Sequence, residues 1–366
     1  MPKMALHHSN KVVRPFLAGL LPENPEVLRR WGRRYDVSPS NPFALLEHVG
    51  DDVAGAAQFV IPDRVDDALQ PGSVEPVDAA YIADRLATLR LDRTAWEPDQ
   101  GRGRFSLAGQ QAKFALYRGP DGSWGLPDGR KATTHILKPA VPGLDDHDIN
   151  EHLCLEAAGH LGILTARSRI EEFHGQRTFV VQRYDRDVLD DGSVERIHQE
   201  DMCQALSVRP EGKYEDEGGP SARKIIELLR GVQTVDQARD SVERFTKALI
   251  YNWVIAGPDA HAKNYSVLLD TDQVRLAPLY DVSSVLSYPQ QYRLPGVELA
   301  MSIAGERHPT LITGQHWTEF ARRNRLDADD VAGWAHQIAS GAPAAFARAI
   351  SSLPSEAFRV TGCDCV

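Results

Sequence analysis

Gly257-Pro258-Asp259-Ala260-His261-Ala262-Lys263-Asn264 closes the strongest helical pattern of the chain, and Leu279-Tyr280-Asp281 places a second acid seventeen residues after Asn264. The helix is predicted over residues 242–256, where Val242, Phe245, Leu249, Trp253 and Ala256 keep helical spacing. Gly257-Pro258 stops it. Strand-like runs follow at residues 265–269 and 274–278. Asp259 and Asn264, with four residues between them, therefore lie on a loop between a buried helix and a strand. Singly, each acid fits a cap or a turn. Together they suit a site that orients a hydroxyl with one carboxylate and holds a divalent cation through oxygen ligands.

That spacing matches the protein-kinase catalytic loop, in which an Asp accepts the substrate hydroxyl proton and an Asn holds a metal ion. Two more segments belong with it. Ser106-Leu107-Ala108-Gly109-Gln110-Gln111-Ala112-Lys113 is a loop of small residues between presumed strands, where backbone N–H groups can approach phosphate. Thr134-His135-Ile136-Leu137-Lys138 is a strand ending in Lys. In kinases such a Lys pairs with phosphates and with a Glu on the next helix. Glu151 and Glu156 are the candidates, Glu151 being preferred at the first turn.

Outward from these segments the chain changes character twice. The first hundred residues carry helical patterns at 13–21, 27–35, 42–49 and 77–91, with Ser40 as the expected cap of the third and a strand at 54–61. Residues 104–185 are β-rich, with strands expected at 113–117, 123–126, 134–138, 168–173 and 178–184. Gly119-Pro120-Asp121-Gly122 is a hairpin turn signal, and one helix at 149–161 interrupts the strands. From Gln199 onward the pattern is mostly helical, ending in helices at 316–325, 328–340 and 343–352. Three units follow: 1–103, 104–185 and 186–366. A cleft between two unlike lobes is a common ligand site.

The 366 residues carry a net charge of −10, which argues against broad unaided contact with nucleic acid or anionic membrane. The 42% hydrophobic content excludes wholesale disorder. Cys154 and Cys203 fall in helical patterns and are expected to be buried thiols, while Cys363 and Cys365 sit in the tail. No disulfide framework is implied, no apolar run reaches membrane-spanning length, and a cytoplasmic location fits.

The chain resembles the HipA family of bacterial serine/threonine kinase toxins. The residues that carry this are Phe105 to Lys113, Thr133 to Lys138, Val181-Gln182-Arg183-Tyr184-Asp185-Arg186 and Gln199-Glu200-Asp201-Met202-Cys203-Gln204. Lys213-Tyr214-Glu215 with Gly218-Gly219-Pro220, Asp259 to Asn264, and Tyr280-Asp281 complete the set, and the resemblance runs from about residue 15 to about residue 340. The resemblance implies an α+β, protein-kinase-like two-lobe fold with an additional N-terminal subdomain and a mostly helical C-lobe. It implies ATP and Mg2+ between the lobes, with Asp259 as the catalytic carboxylate and Asn264 and Asp281 as metal ligands. Lys138 and the backbone of Ala108, Gly109, Gln110, Gln111, Ala112 and Lys113 would hold phosphates. Gln182, Arg183 and Tyr184 would form the hinge near adenine. His261 and Tyr280 complete the nucleotide site, His261 supporting phosphates or loop geometry. Ser106 occupies the autophosphorylation position of the family, where an added phosphate silences the enzyme.

The resemblance further implies an aminoacyl-tRNA synthetase as protein substrate, the glutamate enzyme first. It also implies a HipB-like helix-turn-helix antitoxin as partner, with operator DNA contacted mainly through that antitoxin. Residues 213–220 resemble the substrate-facing loop. About fourteen residues precede Pro15 where the family has a longer β-rich segment, so a shortened N-terminal subdomain is expected. That shortening motivates an alternative, a catalytically silent pseudokinase serving as corepressor. A third reading is a metal-dependent phosphohydrolase built on Asp259, His261 and Asp281, which would need more His or carboxylate ligands than the sequence offers.

Overall fold

The computed structural model describes residues 7–96, 105–270 and 273–353. The expected boundary between residues 103 and 104 and the Cys363/Cys365 tail lie outside them. The N-terminal region starts with α1 (Asn10–Gly19), α2 (Pro25–Tyr35) and α3 (Pro42–Val49). Each of the last two has Pro at its first position, where the missing N–H costs nothing. The cap of α3 is Asn41, whose side chain accepts from Ala44 N–H, rather than Ser40 one residue earlier.

Residues 54–61 form no strand. The segment is held by side chains and turns instead: Gly55 N–H donates to Asp185 Oδ2, and Phe59 N–H to Gly50 O. A short α4 (Val65–Leu69) and a strand absent from the sequence reading, β1 (Val74–Val77), come next. Glu75 and Pro76 hide β1 from periodicity, and a Pro is tolerated there because the strand lies at a sheet edge. Asp78 then caps α5 (Ala79–Leu91) by accepting from Tyr81 N–H at 2.8 Å.

The β-rich lobe contains β2 (Phe114–Arg118), β3 (Trp124–Pro127), β4 (His135–Pro139), β5 (Ser168–Phe173) and β6 (Gln176–Gln182). With β1 they form one sheet in the order β1-β3-β2-β4-β6-β5, antiparallel throughout. The β2–β3 turn contains Gly122 at φ +85°, a conformation that favours glycine. Alternation along β6 divides the interior: Phe179 and Val181 enter one core, and Val180 the other. The second core joins β2–β4 to α1–α3 and α5, so the N-terminal helices are packed onto the sheet itself. α6 (His147–His160) lies against the other face.

The helical lobe begins with the hairpin β7 (Arg186–Val188) and β8 (Val194–Arg196) and the small sheet β9 (His198–Asp201), β10 (Ser266–Leu269) and β11 (Val274–Leu276). α7 (Met202–Ala205), α8 (Ala222–Val232), α9 (Val235–Val254), α10 (Gly314–Arg323) and α11 (Ala328–Ser352) complete it. Val242, Phe245 and Leu249 of α9 are buried, as their spacing requires. The two helices expected at 328–340 and 343–352 are one. Pro343 lies inside α11, and contacts of Ala345 and Ala349 with Ala157 of α6 offset the missing backbone bond. Cys154 and Cys203 are buried free thiols. Among the described residues no helix is long and apolar enough to cross a membrane.

Candidate active site

Between the lobes lies a cavity of about 490 Å³. α9 delivers its first functional segment. The helix ends through Ala256 at φ +49° and Gly257, whose N–H donates to Asn252 O at 2.8 Å. A Cβ on Gly257 would stand 2.7 Å from Asn252 Oδ1, so a larger residue would displace the loop. The loop then folds on itself. His261 N–H donates to Asp259 O, Asn264 N–H to His261 O, and Asn264 Nδ2 to Asp259 O at 2.7 Å.

Asp259 stays exposed at the cavity and accepts a hydrogen bond from the Tyr214 hydroxyl on Oδ1. His261 is buried with its Nε2 3.8 Å from the same oxygen. Burial lowers the pKa of His261, and its Nδ1 has no protein partner. A neutral ring packed edge-on to Tyr214, with centroids 5.0 Å apart, follows. His261 is buried as a core histidine would be, but it is not fully satisfied.

Asp281 is aimed by a left-handed backbone at φ +56°. Lys138 Nζ, at the end of β4, donates to Asp281 Oδ1 at 2.8 Å and to Glu151 Oε1 at 2.6 Å. Glu151, not Glu156, is therefore the α6 partner of the strand lysine. Burial acts against the Lys138 ammonium, but the two carboxylates overcome it and raise its pKa. Burial also acts against ionised Asp281, and Lys138 and Lys113 outweigh it, holding the carboxyl well below its ordinary range. Burial pushes the Glu151 carboxyl up, against the pull of Lys138.

Ala108, Gly109, Gln110, Gln111 and Lys113 line the cavity. Ala112 does not; it is buried in the core beneath the loop. Gly109 has φ +103°, and a Cβ there would lie 2.7 Å from Lys113 Nζ. Lys113 donates to Ala108 O at 2.8 Å. Ser106 is wholly buried, its Oγ donating to Leu20 O at 2.7 Å and its N–H to Asp52 O at 3.0 Å.

Gln182, Arg183 and Tyr184 also line the cavity. The Arg183 guanidinium is turned away and bonds Asp185, Thr133 and Val53 O, so that side chain is committed to the protein. Asp52 lies at the centre of this buried cluster, accepting from Thr133 and pairing with Arg183 and Arg186. Tyr184 and Tyr280 have ring centroids 5.2 Å apart, and Tyr280 OH donates to Lys263 O.

Glu23 and Asp52 are absent from the sequence reading. Glu23 accepts from Lys213 at 2.7 Å, Lys263 Nζ lies 3.8 Å from its other oxygen, and its N–H donates to Gly109 O at 3.0 Å. Their partners are far along the chain, so no local spacing reveals them.

The donor set suits a magnesium triphosphate. Asp281 offers an ionised oxygen, and Asn264, its Nδ2 spent on backbone carbonyls, has Oδ1 left to offer. Lys138 and Lys113 supply positive charge, and a glycine opens the loop backbone. Among the described residues no group of three or more His, Cys, Asp or Glu side chains is arranged to hold a metal.

The two lobes, the cavity between them and the segments around it define a protein-kinase-like α+β fold. The chain belongs to the HipA family: residues 1–60 match the HipA N-terminal domain, and residues 105–346 the HipA-like C-terminal domain. "Putative kinase Y4mE" of Sinorhizobium fredii is 38% identical over 333 residues, 88% of this chain and 75% of that protein. The serine/threonine-protein kinase toxin HipA of Shewanella oneidensis is 30% identical over 352 residues, 93% of this chain and 77% of that protein. The solved Shewanella oneidensis HipA, in complex with HipB and its operator DNA, superposes with a TM-score of 0.80 at 27% identity, over 94% of this chain and 80% of that one.

Proposed function

We propose that this protein is an ATP-dependent serine/threonine kinase and the toxin of a toxin–antitoxin pair, working in the cytoplasm. The observation that carries the reading is the meeting of Lys138, Glu151 and Asp281 at a cavity that Asp259 and Asn264 also line. Lys138, kept cationic, holds phosphate oxygens, and the loop of residues 108–113 cradles them with backbone N–H groups. Asn264 and Asp281 hold Mg2+, which when bound neutralises charge on the transferring phosphates. Asp259 orients the acceptor hydroxyl and takes its proton. The adenine lies by Gln182–Tyr184, with Tyr184 and Tyr280 beside it.

The protein substrate is an aminoacyl-tRNA synthetase, the glutamate enzyme first, so that transfer arrests translation and induces dormancy. A HipB-like antitoxin binds the chain and carries most operator contact; the Shewanella oneidensis complex supports this. Phosphorylation of Ser106 silences the kinase, since the buried seat at Leu20 O cannot hold a phosphate. The intact Lys138–Glu151 pair and the retained Asp259 favour this reading over a silent corepressor.

Incubation with labelled ATP, magnesium and a cell extract tests it. Labelled protein should appear with the wild type and fall about 10²–10⁴-fold with Asp259→Asn. Nucleotide binding with no labelled protein would favour the pseudokinase.

A further inference from the structure

The loop that carries Tyr214 is fastened on several sides. Lys213 is bonded to Glu23, and its carbonyl accepts from Ala262 N–H at 3.3 Å. Glu215 accepts from both the N–H and the hydroxyl of Ser302, and Asp216 pairs with Arg307 at 3.1 Å. Gly219 N–H returns to Tyr214 O at 2.8 Å, and a Cβ on Gly219 would come within 2.5 Å of the carbonyls of Gly212 and Tyr214. The ring is further set edge-on against buried His261. A rigid frame thus presents one hydroxyl, and that hydroxyl donates to Asp259 Oδ1.

An O–H donating to this carboxylate is what the proposed reaction asks of its acceptor. Tyr214 holds that place when no acceptor is bound. Water is small, abundant and able to take the same place, and transfer to water wastes ATP. In that side reaction the γ-phosphorus gains a bond to the water oxygen and loses its bond to the bridging oxygen of ADP. The water proton goes to Asp259, and phosphate leaves.

We propose that Tyr214 is a positioning residue whose hydroxyl caps Asp259 Oδ1 and withholds it from water until a protein hydroxyl displaces it. This rests on Asp259 being the acceptor-binding carboxylate. A docked protein substrate presents its hydroxyl at high effective concentration and can displace the phenol, whereas water at the cleft cannot do so as readily. The device selects the acceptor.

The test uses the full chain with magnesium-ATP and no added protein acceptor. Tyr214→Phe keeps the ring against His261 and removes the hydroxyl. Free phosphate release should rise about ten-fold, as loss of a hydrogen bond to a charged group allows. Tyr214→Phe with Asp259→Asn should return it to background. A structural defect would lower the rate rather than raise it.

A second readout needs no nucleotide: a protected hydroxyl proton of the free protein, seen by NMR, should vanish in Tyr214→Phe and in Asp259→Ala, which removes the acceptor oxygen. Unchanged or lower phosphate release in folded Tyr214→Phe, or no such proton in the wild type, overturns the proposal while the kinase reading stands. Protein labelling undiminished in Asp259→Asn overturns both.

Discussion

The carboxylate of Glu23 accepts a hydrogen bond from Lys213 Nζ at 2.7 Å, joining residues 190 apart in sequence across the mouth of the cleft. The same residue donates its N–H to Gly109 O, and its other oxygen faces Lys263 Nζ at 3.8 Å. The turn after α1 thereby straps the phosphate-facing loop to the segments beside Asp259.

Glu23→Gln should loosen that strap. Two buried lysines lose a counter-charge, at a cost of about 1–3 kcal/mol. The melting temperature should fall by several degrees, and phosphotransfer should drop more than nucleotide affinity. An unchanged melting curve would remove the strap from the account.

Lys113 sets a pH dependence. Burial, reinforced by Lys138, lowers its pKa to about 8. A bound triphosphate favours the protonated form, so binding takes up a proton above that pH. ATP affinity should hold steady below pH 8 and weaken as pH rises through it, by at most about ten-fold per pH unit. Lys113→Met should flatten the curve and lie below wild type at pH 7. Lys138, its pKa raised, keeps its charge throughout and adds no slope.

Asp52 ties the N-terminal region to the hinge. Burial works against its charge, but Arg186, Arg183 and Arg196 outweigh burial and hold its pKa well below the ordinary value of 3.8. A lowered carboxyl contributes stability above its unfolded pKa and loses it as pH falls further. Asp52→Asn should cost about 3–5 kcal/mol at pH 7, since it strands buried guanidiniums. The gap to wild type, followed by denaturant unfolding, should narrow below pH 4. A gap constant with pH would mean that Asp52 acts through shape rather than charge.

Ser106→Glu should imitate the phosphate. The buried seat at Leu20 O has no room for a carboxylate, so the loop should leave it. Amide exchange at Glu23, whose N–H is held by Gly109 O, should quicken, and nucleotide affinity should fall. Protection equal to wild type would contradict this.

Much of this architecture is legible locally. Short β-like runs mark β2 to β6, and Gly257-Pro258 marks the end of the helix that delivers Asp259. β1 was hidden because an edge strand tolerates Glu75-Pro76, and α11 was split because packing on α6 outweighs Pro343. The segment 54–61 has strand-like composition without a strand to pair with. Within the site, motif spacing reached Lys138, Asp259, Asn264 and Asp281. Glu23 and Asp52 act through partners more than eighty residues away, and only the folded chain brings these together. The burial of Ser106 and the diversion of the Arg183 guanidinium have the same cause: each bonds to an N-terminal segment whose path the sequence does not reveal.

A crystal structure with a non-hydrolysable ATP analogue and Mn2+ in place of Mg2+ tests the central claim most directly. The account predicts an anomalous peak between Asn264 Oδ1 and the Asp281 carboxylate. It places the triphosphate against Lys138 and the loop of residues 108–113, and the γ-phosphate toward Asp259. A nucleotide seated elsewhere, or a metal held without Asp281, would contradict it.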